Sequence, residues 1–234
     1  QRISVWLARA PIYLSRGQFS LALSDLECAQ AALGNAPASI HAADLENQMG
    51  LLYGLCGDLE TSQLFFAQSI ARAEGLSDES VYIPRGLRSV VLALHQHPSA
   101  AENALLEPMP SMHMIGQCYT LLGLAESAWS VGDRLKTLEA AEKLYALALE
   151  CEMPEMRAYA QLLIGLAKND NNALQGALTL AQNIGLTLVI ARAALGLHRK
   201  SVAQSALELL LEHTPEKLRG YASKSVAARL LQRQ

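Results

Sequence analysis

The sequence predicts an all-α chain in which antiparallel helix pairs stack into a superhelix, and three observations carry that reading. Residues 50–69, GLLYGLCGDLETSQLFFAQS, space Gly50, Tyr53, Gly57, Leu59, Ser62, Phe66 and Ser69 so that small and large side chains alternate. Ala10, Tyr13, Gly17, Phe19, Ala22, Leu26 and Ala29 repeat the spacing about forty residues upstream. Such alternation suits two helices joined by a tight turn, because a small residue on one helix admits a large one from its partner. The composition agrees: 51% of residues are hydrophobic but only 5% are aromatic, and Ala and Leu, both strong helix formers, dominate. No period-two alternation runs longer than a few residues and no Asn-Gly hairpin signal occurs, so no strand is expected.

The first unit spans about residues 3–37. Trp6, Ala10 and Tyr13 recur at helical spacing from Ile3 to Ser15. Pro11 lacks a backbone donor and should kink that helix or mark a late start. Arg16-Gly17-Gln18 turns into a partner helix, Phe19 to Leu33, which Gly34 to Pro37 stop. The second unit, about 39–76, runs from Ser39 to Cys56, turns at Gly57-Asp58 and returns from Leu59 to Glu74. Gly50 lies inside a helix, where Gly costs about 1 kcal/mol relative to Ala. A neighbouring helix backbone coming too close for a side chain would account for it. The third unit, about 80–107, is irregular. Ile83-Pro84 starts or kinks a helix to about Gln96, His97-Pro98 turns, and Ser99 with Glu102 forms a capping box for a short helix. Glu107 to Pro110 is the best place for a break in the stack. The fourth unit, about 111–152, turns at Gly132-Asp133, repeating Gly57-Asp58. The fifth, about 154–185, opens on Pro154, turns at Asn169 to Asn172 and carries Ile164-Gly165 where the second has Met49-Gly50. A compressed sixth unit covers about 186–213. Thr214-Pro215-Glu216 then starts a last helix, about 215–231, whose one-sided polarity suits a cap with a polar outer face.

Charge and cysteines exclude several classes. The formal net charge is −3, with no basic face of the kind nucleic-acid binding needs. Cys28, Cys56, Cys118 and Cys151 are far apart, each within an apolar helical pattern, and read as buried free thiols. A disulfide framework is not expected in a helical chain of this size, which points to a reducing, cytoplasmic setting. No apolar run reaches the roughly twenty residues of a membrane span. The chain opens on Gln1 and enters a helical pattern at once, which reads as one repeat domain over 1–234 cut from a longer protein.

Trp6, Ala10, Tyr13, Gly17, Phe19, Ala22, Leu26 and Ala29, and then Met49, Gly50, Tyr53, Gly57, Leu59, Ser62, Phe66 and Ser69, resemble the tetratricopeptide (TPR) repeat pattern. The fourth unit matches weakly, and the fifth keeps Ile164, Gly165, Leu174 and Ala177. Unit starts near 3, 43, 82, 118 and 158 depart from the family's usual 34-residue period, which puts the superhelical pitch in question but not the helical pairing. The resemblance implies a right-handed TPR-like α-solenoid of about six pairs with a C-terminal capping helix. Long irregular arrays of this kind are similar to the C-terminal sensor regions of bacterial signal-transduction ATPases and regulators, and residues 209–233 resemble their closing helices.

No residue set points to catalysis. His95 and His97, with His113, could supply metal ligands, but a structural site takes four and no Cys is near in sequence, so a solvated turn is the expectation. Phosphate loops of the GxxxxGK[ST] and GxGxxG kinds are absent, as is a GxSxG elbow. Gly116 and Gly123 read as close-packing positions. No enzyme activity, cofactor or metal is expected.

An array of helix pairs offers a groove lined by the first helix of each pair. By helical phase, the residues outside the packing code are Asp44, Asn47 and Leu51; Tyr119, Leu122, Glu126 and Trp129; and Tyr159 and Leu162. Tyr82, Arg85 and Arg88 of the irregular unit join them. Tyr, Trp and Arg are the residue types that most often anchor protein contacts, although Tyr119, Trp129 and Tyr159 can equally fill the core between units, and Trp6 reads as core. The expected function is a protein- or peptide-binding scaffold or sensor within a larger bacterial signalling protein, its partner a protein, a peptide or another domain of the parent, without nucleic acid or membrane. Two alternatives stand beside it: a small-molecule-sensing domain with a pocket near residues 80–130, and a structural spacer or dimerisation element. A closed apolar cavity of several hundred Å³ would favour the small-molecule reading, and an open channel the peptide reading.

Overall fold

The computed structural model describes residues 2–34, 39–76, 79–97 and 113–232. All regular structure among them is helical: α1 (Arg2–Ser15), α2 (Phe19–Leu33), α3 (Ile40–Cys56), α4 (Leu59–Gly75), a 3-10 turn (Glu79–Val81), α5 (Tyr82–Leu94), α6 (Met114–Ser130), α7 (Arg134–Glu150), α8 (Pro154–Lys168), α9 (Asn171–Ile184), α10 (Thr187–Gly196), α11 (Lys200–Glu212), a 3-10 segment (Glu216–Lys224) and α12 (Val226–Leu231). Consecutive helices pack on one another, and first helices also touch across pairs, as α1 and α3 do, and α6 and α8. The fold is an all-α, solenoid-like stack of helix pairs. The capping-box helix at Ser99 and the break at Glu107 to Pro110 lie outside the described residues.

The repeated spacing builds the pairs as expected. Ala10, Ala22, Leu26, Ala29, Phe66 and Ser62 have no exposed surface at all, and Ser69 almost none. In the second pair the small positions also bond: the Ser62 hydroxyl donates to the Gly50 carbonyl and that of Ser69 to the Ala43 carbonyl, both at 2.7 Å. A Cβ on Gly50 would lie 3.0 Å from the Phe66 ring, so an aromatic side chain, not a helix backbone, demands glycine there. The backbone approach occurs instead at Gly86 of α5, where a Cβ would fall 2.3 Å from the Tyr119 carbonyl oxygen of α6.

The recurring turn has a single construction. Gly57, Gly132 and Asn169 take positive φ, at 101°, 79° and 55°, and each is followed by an Asp whose carboxylate caps the next helix. Asp58 accepts from the Thr61 amide at 3.2 Å, Asp133 from the Lys136 amide at 3.0 Å and Asp170 from the Asn172 amide at 2.8 Å.

Several expectations need correction. Helix α1 does not start late at Pro11 but runs through it. Proline leaves the carbonyl four residues back, that of Leu7, without its helical donor, and the Gln48 side-chain amide of α3 supplies one at 3.0 Å. Cys28 is exposed and Cys151 half-buried; only Cys56 and Cys118 are buried thiols, and burial pushes both up to about 12. Residues 215–231 do not form one polar capping helix. They split into the 3-10 segment and α12, and Leu218, Val226 and Ala227 are buried.

That burial closes the array. Leu207 and Leu210 of α11, Leu218 and Ala227 share one hydrophobic core with Leu7, Leu14, Leu26 and Leu52 of the first three helices. The Ser20 amide and hydroxyl both donate to the His213 carbonyl, at 3.1 and 3.0 Å, and Lys217 pairs with Glu27 at 2.6 Å. A Cβ on Gly57 would strike the backbone of Tyr221 and Ser225 at 2.7 Å. Leu218→Ala should therefore cost about 2–5 kcal/mol of unfolding free energy. Lys217→Ala, which removes a half-exposed ion pair, should cost no more than about 1 kcal/mol. Denaturant midpoints of the two variants check the contrast.

Candidate functional site

Closure turns the inner face of the stack into a half-enclosed cavity of about 670 Å³. Helices α1, α3, α5, α6 and α8 supply most of its wall, and Leu210, Thr214, Val226 and Ala227 complete it from the C-terminal side. The wall is mainly aliphatic, with Leu51, Leu87, Val90, Leu122 and Met156 among its members. The size falls within the usual range of small-molecule sites, roughly 300–1,000 Å³. A second cavity of about 350 Å³ shares Asp44, Asn47 and Ile83 with the first and extends past Ser4, His41 and Ser69.

Six of the residues expected in a groove line the larger cavity together: Asp44, Asn47, Leu51, Tyr119, Leu122 and Tyr159. Their side chains converge from α3, α6 and α8. Burial pushes the Tyr119 phenol up to about 12, and the neighbouring Glu155, Tyr159 and Asp44 further oppose its ionisation. Tyr159 is pushed up to about 12 by burial as well. Burial likewise raises the Asp44 carboxyl above its ordinary value, although a hydrogen bond from Gln48 and the proximity of His41 oppose the rise.

The other six are placed elsewhere. Glu126 is 1% exposed and holds the buried Arg192 of α10 in a two-pronged ion pair, with Nη2 to Oε2 at 2.9 Å. Leu162 is fully buried against α9 and α10. Trp129 packs half-buried on the α6–α8 core. Arg85 pairs with Glu74, Arg88 donates from Nε to Gln63 Oε1 at 2.6 Å, and Tyr82 is half-buried at the start of α5. Helical phase identifies the inner helices but not which inward residues meet another helix, and that distinction separates Glu126 and Leu162 from Tyr119 and Tyr159.

Sequence reading missed Gln48 and Glu155. Gln48 is 5% exposed, and both amide hydrogens are committed, one to the Leu7 carbonyl and one to Asp44 Oδ1 at 2.9 Å. Its Oε1, like Asn47 Oδ1, has no hydrogen-bond partner among the described residues. The Pro11 donor gap was a readable signal that some side chain must reach Leu7, but nothing local says that it comes from residue 48.

Among the described residues, no group of three or more His, Cys, Asp or Glu side chains is placed to hold a metal ion. His95 is buried and its Nε2 bonds to the Gly54 carbonyl at 2.8 Å, while His97 is exposed. No described helix is long and apolar enough to cross a membrane. No protein-family model matches this sequence, and no curated protein matches it.

Two predictions follow from the buried charges. Removing one member of the Glu126–Arg192 pair strands the other, so Glu126→Leu or Arg192→Met alone should lose about 3–5 kcal/mol. The Glu126→Leu/Arg192→Met double variant should recover most of that loss in a double-mutant cycle. For His95, burial lowers the pKa below 6.5, the Gly54 bond opposes the shift and Arg229 adds to it. As pH falls below about 6.5 the unfolded chain takes up that proton before the folded one, so stability drops until the folded pKa is passed. Melting temperatures between pH 7 and 5 should fall less steeply in His95→Gln.

Proposed function

We propose that this chain is a sensor module that binds a small, mainly apolar molecule in its central cavity. The observation that carries the reading is the cavity itself: about 670 Å³, half-enclosed and largely aliphatic. An extended peptide calls for an open channel, and the return of the C-terminal segment onto α1–α3 leaves a bounded space. This supports the small-molecule reading over a peptide groove. The resemblance to tetratricopeptide sensor regions supports placing the module inside a larger bacterial signalling or regulatory protein. There, occupancy would act on neighbouring domains by favouring the form in which the C-terminal segment packs on α1–α3, which requires different affinities for that form and for one without the contact. Enzyme activity forms no part of the proposal.

The test uses Nile red, a neutral solvatochromic dye. Wild-type protein should bind one dye per chain with a blue shift in emission. Leu51→Trp, which places an indole into the cavity, should weaken that binding by about tenfold or more, equivalent to about 1.4 kcal/mol. Equal dye binding by wild type and variant, or none by wild type, would overturn the proposal.

A further inference from the structure

We infer that the hydroxyls of Tyr119 and Tyr159 hold a neutral hydrogen-bond acceptor on the ligand, of which a carbonyl oxygen is the simplest, an inference that rests on the small-molecule reading above. The evidence lies in how the hydroxyl groups of the wall are spent. Ser15, Thr214 and Ser225 line the cavity together with the two tyrosines. Each of the three donates to a backbone carbonyl three or four residues back: Ser15 to Ile12 at 2.9 Å, Thr214 to Leu210 at 3.2 Å and Ser225 to Ala222 at 2.7 Å. The phenols differ. Burial and nearby charged groups, but no hydrogen bond, act on their ionisation, so neither has a hydrogen-bond partner among the described residues. They are not sealed inside the protein as Asn47 Oδ1 and Gln48 Oε1 are. Both tyrosines are half-buried. Tyr119 stands on α6 and Tyr159 on α8, two helices in contact, and both pack against one hydrophobic core. Tyr159 is near enough to Tyr119 to act on its ionisation. Two uncommitted O–H groups thus open on one part of a largely aliphatic wall.

The chemistry of a phenol selects what meets it. Burial pushes both groups up to about 12, so each keeps its proton at neutral pH and can donate. A ligand that fills the cavity displaces water from these hydroxyls, and a polar group dried without a replacement partner opposes binding. A pure hydrocarbon offers no replacement. An ammonium group has donors and no acceptor. A carboxylate accepts well, but it would bring negative charge to a place where Glu155 and Asp44 already oppose the ionisation of Tyr119. Arg16, the basic side chain on the wall, does not offset this: it lies along Gly185 at the α9–α10 turn, and the ionisation of neither phenol responds to it. Arg192 acts on Tyr159 but is already held by Glu126. A carbonyl oxygen carries two lone pairs and no net charge, so it can accept from both hydroxyls. The aliphatic wall of Leu51, Leu87, Val90 and Leu122 then takes the rest of the molecule.

Displacement of Nile red by butyrophenone and by butylbenzene, at neutral pH, tests this. The two compounds differ only in a carbonyl where the other has a methylene. The Tyr119→Phe/Tyr159→Phe double variant removes the two hydroxyls and keeps both rings. In it the ratio of the butyrophenone midpoint to the butylbenzene midpoint should rise about tenfold over wild type, the loss expected for two neutral hydrogen bonds. Because the ratio is taken within one protein, a change in dye affinity or in overall cavity fit does not affect it. From wild type, 4-phenylbutanoate, an anion with the same ring and a similar chain, should displace the dye more weakly than butyrophenone. An unchanged ratio in the double variant, or 4-phenylbutanoate as the stronger competitor, would overturn the assignment while leaving the cavity reading intact. Failure of Nile red to bind wild type would overturn both.

Discussion

Helix α3 is enclosed on nearly every side, and the structure follows from that constraint. It touches α1, α2, α4, α5, the second 3-10 segment and α12, and eleven of its seventeen residues are buried. The helix is not apolar all round: Glu46, Asn47 and Gln48 are buried in sequence, with Asp44 beside them. A buried polar group must be partnered or it destabilises the fold. Arg72 of α4 answers Glu46 with its Nε at 2.7 and 2.9 Å from the two carboxylate oxygens. The carbonyl left open by Pro11 and the Asp44 carboxylate answer the nitrogen of Gln48. What stays unanswered on α3 is confined to two buried oxygens, Asn47 Oδ1 and Gln48 Oε1. The same helix thus locks the first two pairs together and gives the cavity its polarity.

The pairing of helices was legible in the sequence because it is local. Partners in a pair are joined by two or three residues, so side-chain size and the glycine or asparagine before a capping Asp were enough to place α3 with α4, α6 with α7 and α8 with α9. Inward-facing positions were legible for the same reason, and half of the residues expected on the inner face do meet in one cavity. The rest required knowledge of relations between units. Glu126 meets Arg192 across 66 residues, and no spacing along the chain announces a partner that far away. Arg85 and Arg88 are consumed by Glu74 and Gln63 on the preceding helix, a neighbour that helical phase alone does not supply.

The return of the C-terminal segment was the least readable feature. Polar residues Lys217, Arg219, Lys224 and Arg229 suggested an outward cap, yet the apolar residues between them decide the packing. Leu218 and Ala227 enter the core of the first three helices, while Lys217 reaches Glu27 and lies 5.8 Å from the Tyr53 ring. Whether an array returns on itself depends on small rotations between successive pairs summed over the whole chain, and departures from a regular repeat length leave that sum undefined.

Closure also changes what kind of folding unit this is. In an open array each repeat touches only its neighbours, so the terminal units have one neighbour fewer and open first, and partly unwound chains are populated. Here the first and last units complete each other's core, and neither end is peripheral. The two ends are joined by contacts between residues about 200 apart. Such contacts carry a heavy loop-closure cost and slow the search for the native state. During synthesis the first helix pairs emerge long before the helices that cover them. In that interval Leu7, Leu14 and Leu52 lack the core partners that Leu207, Leu210, Leu218 and Ala227 supply in the finished fold.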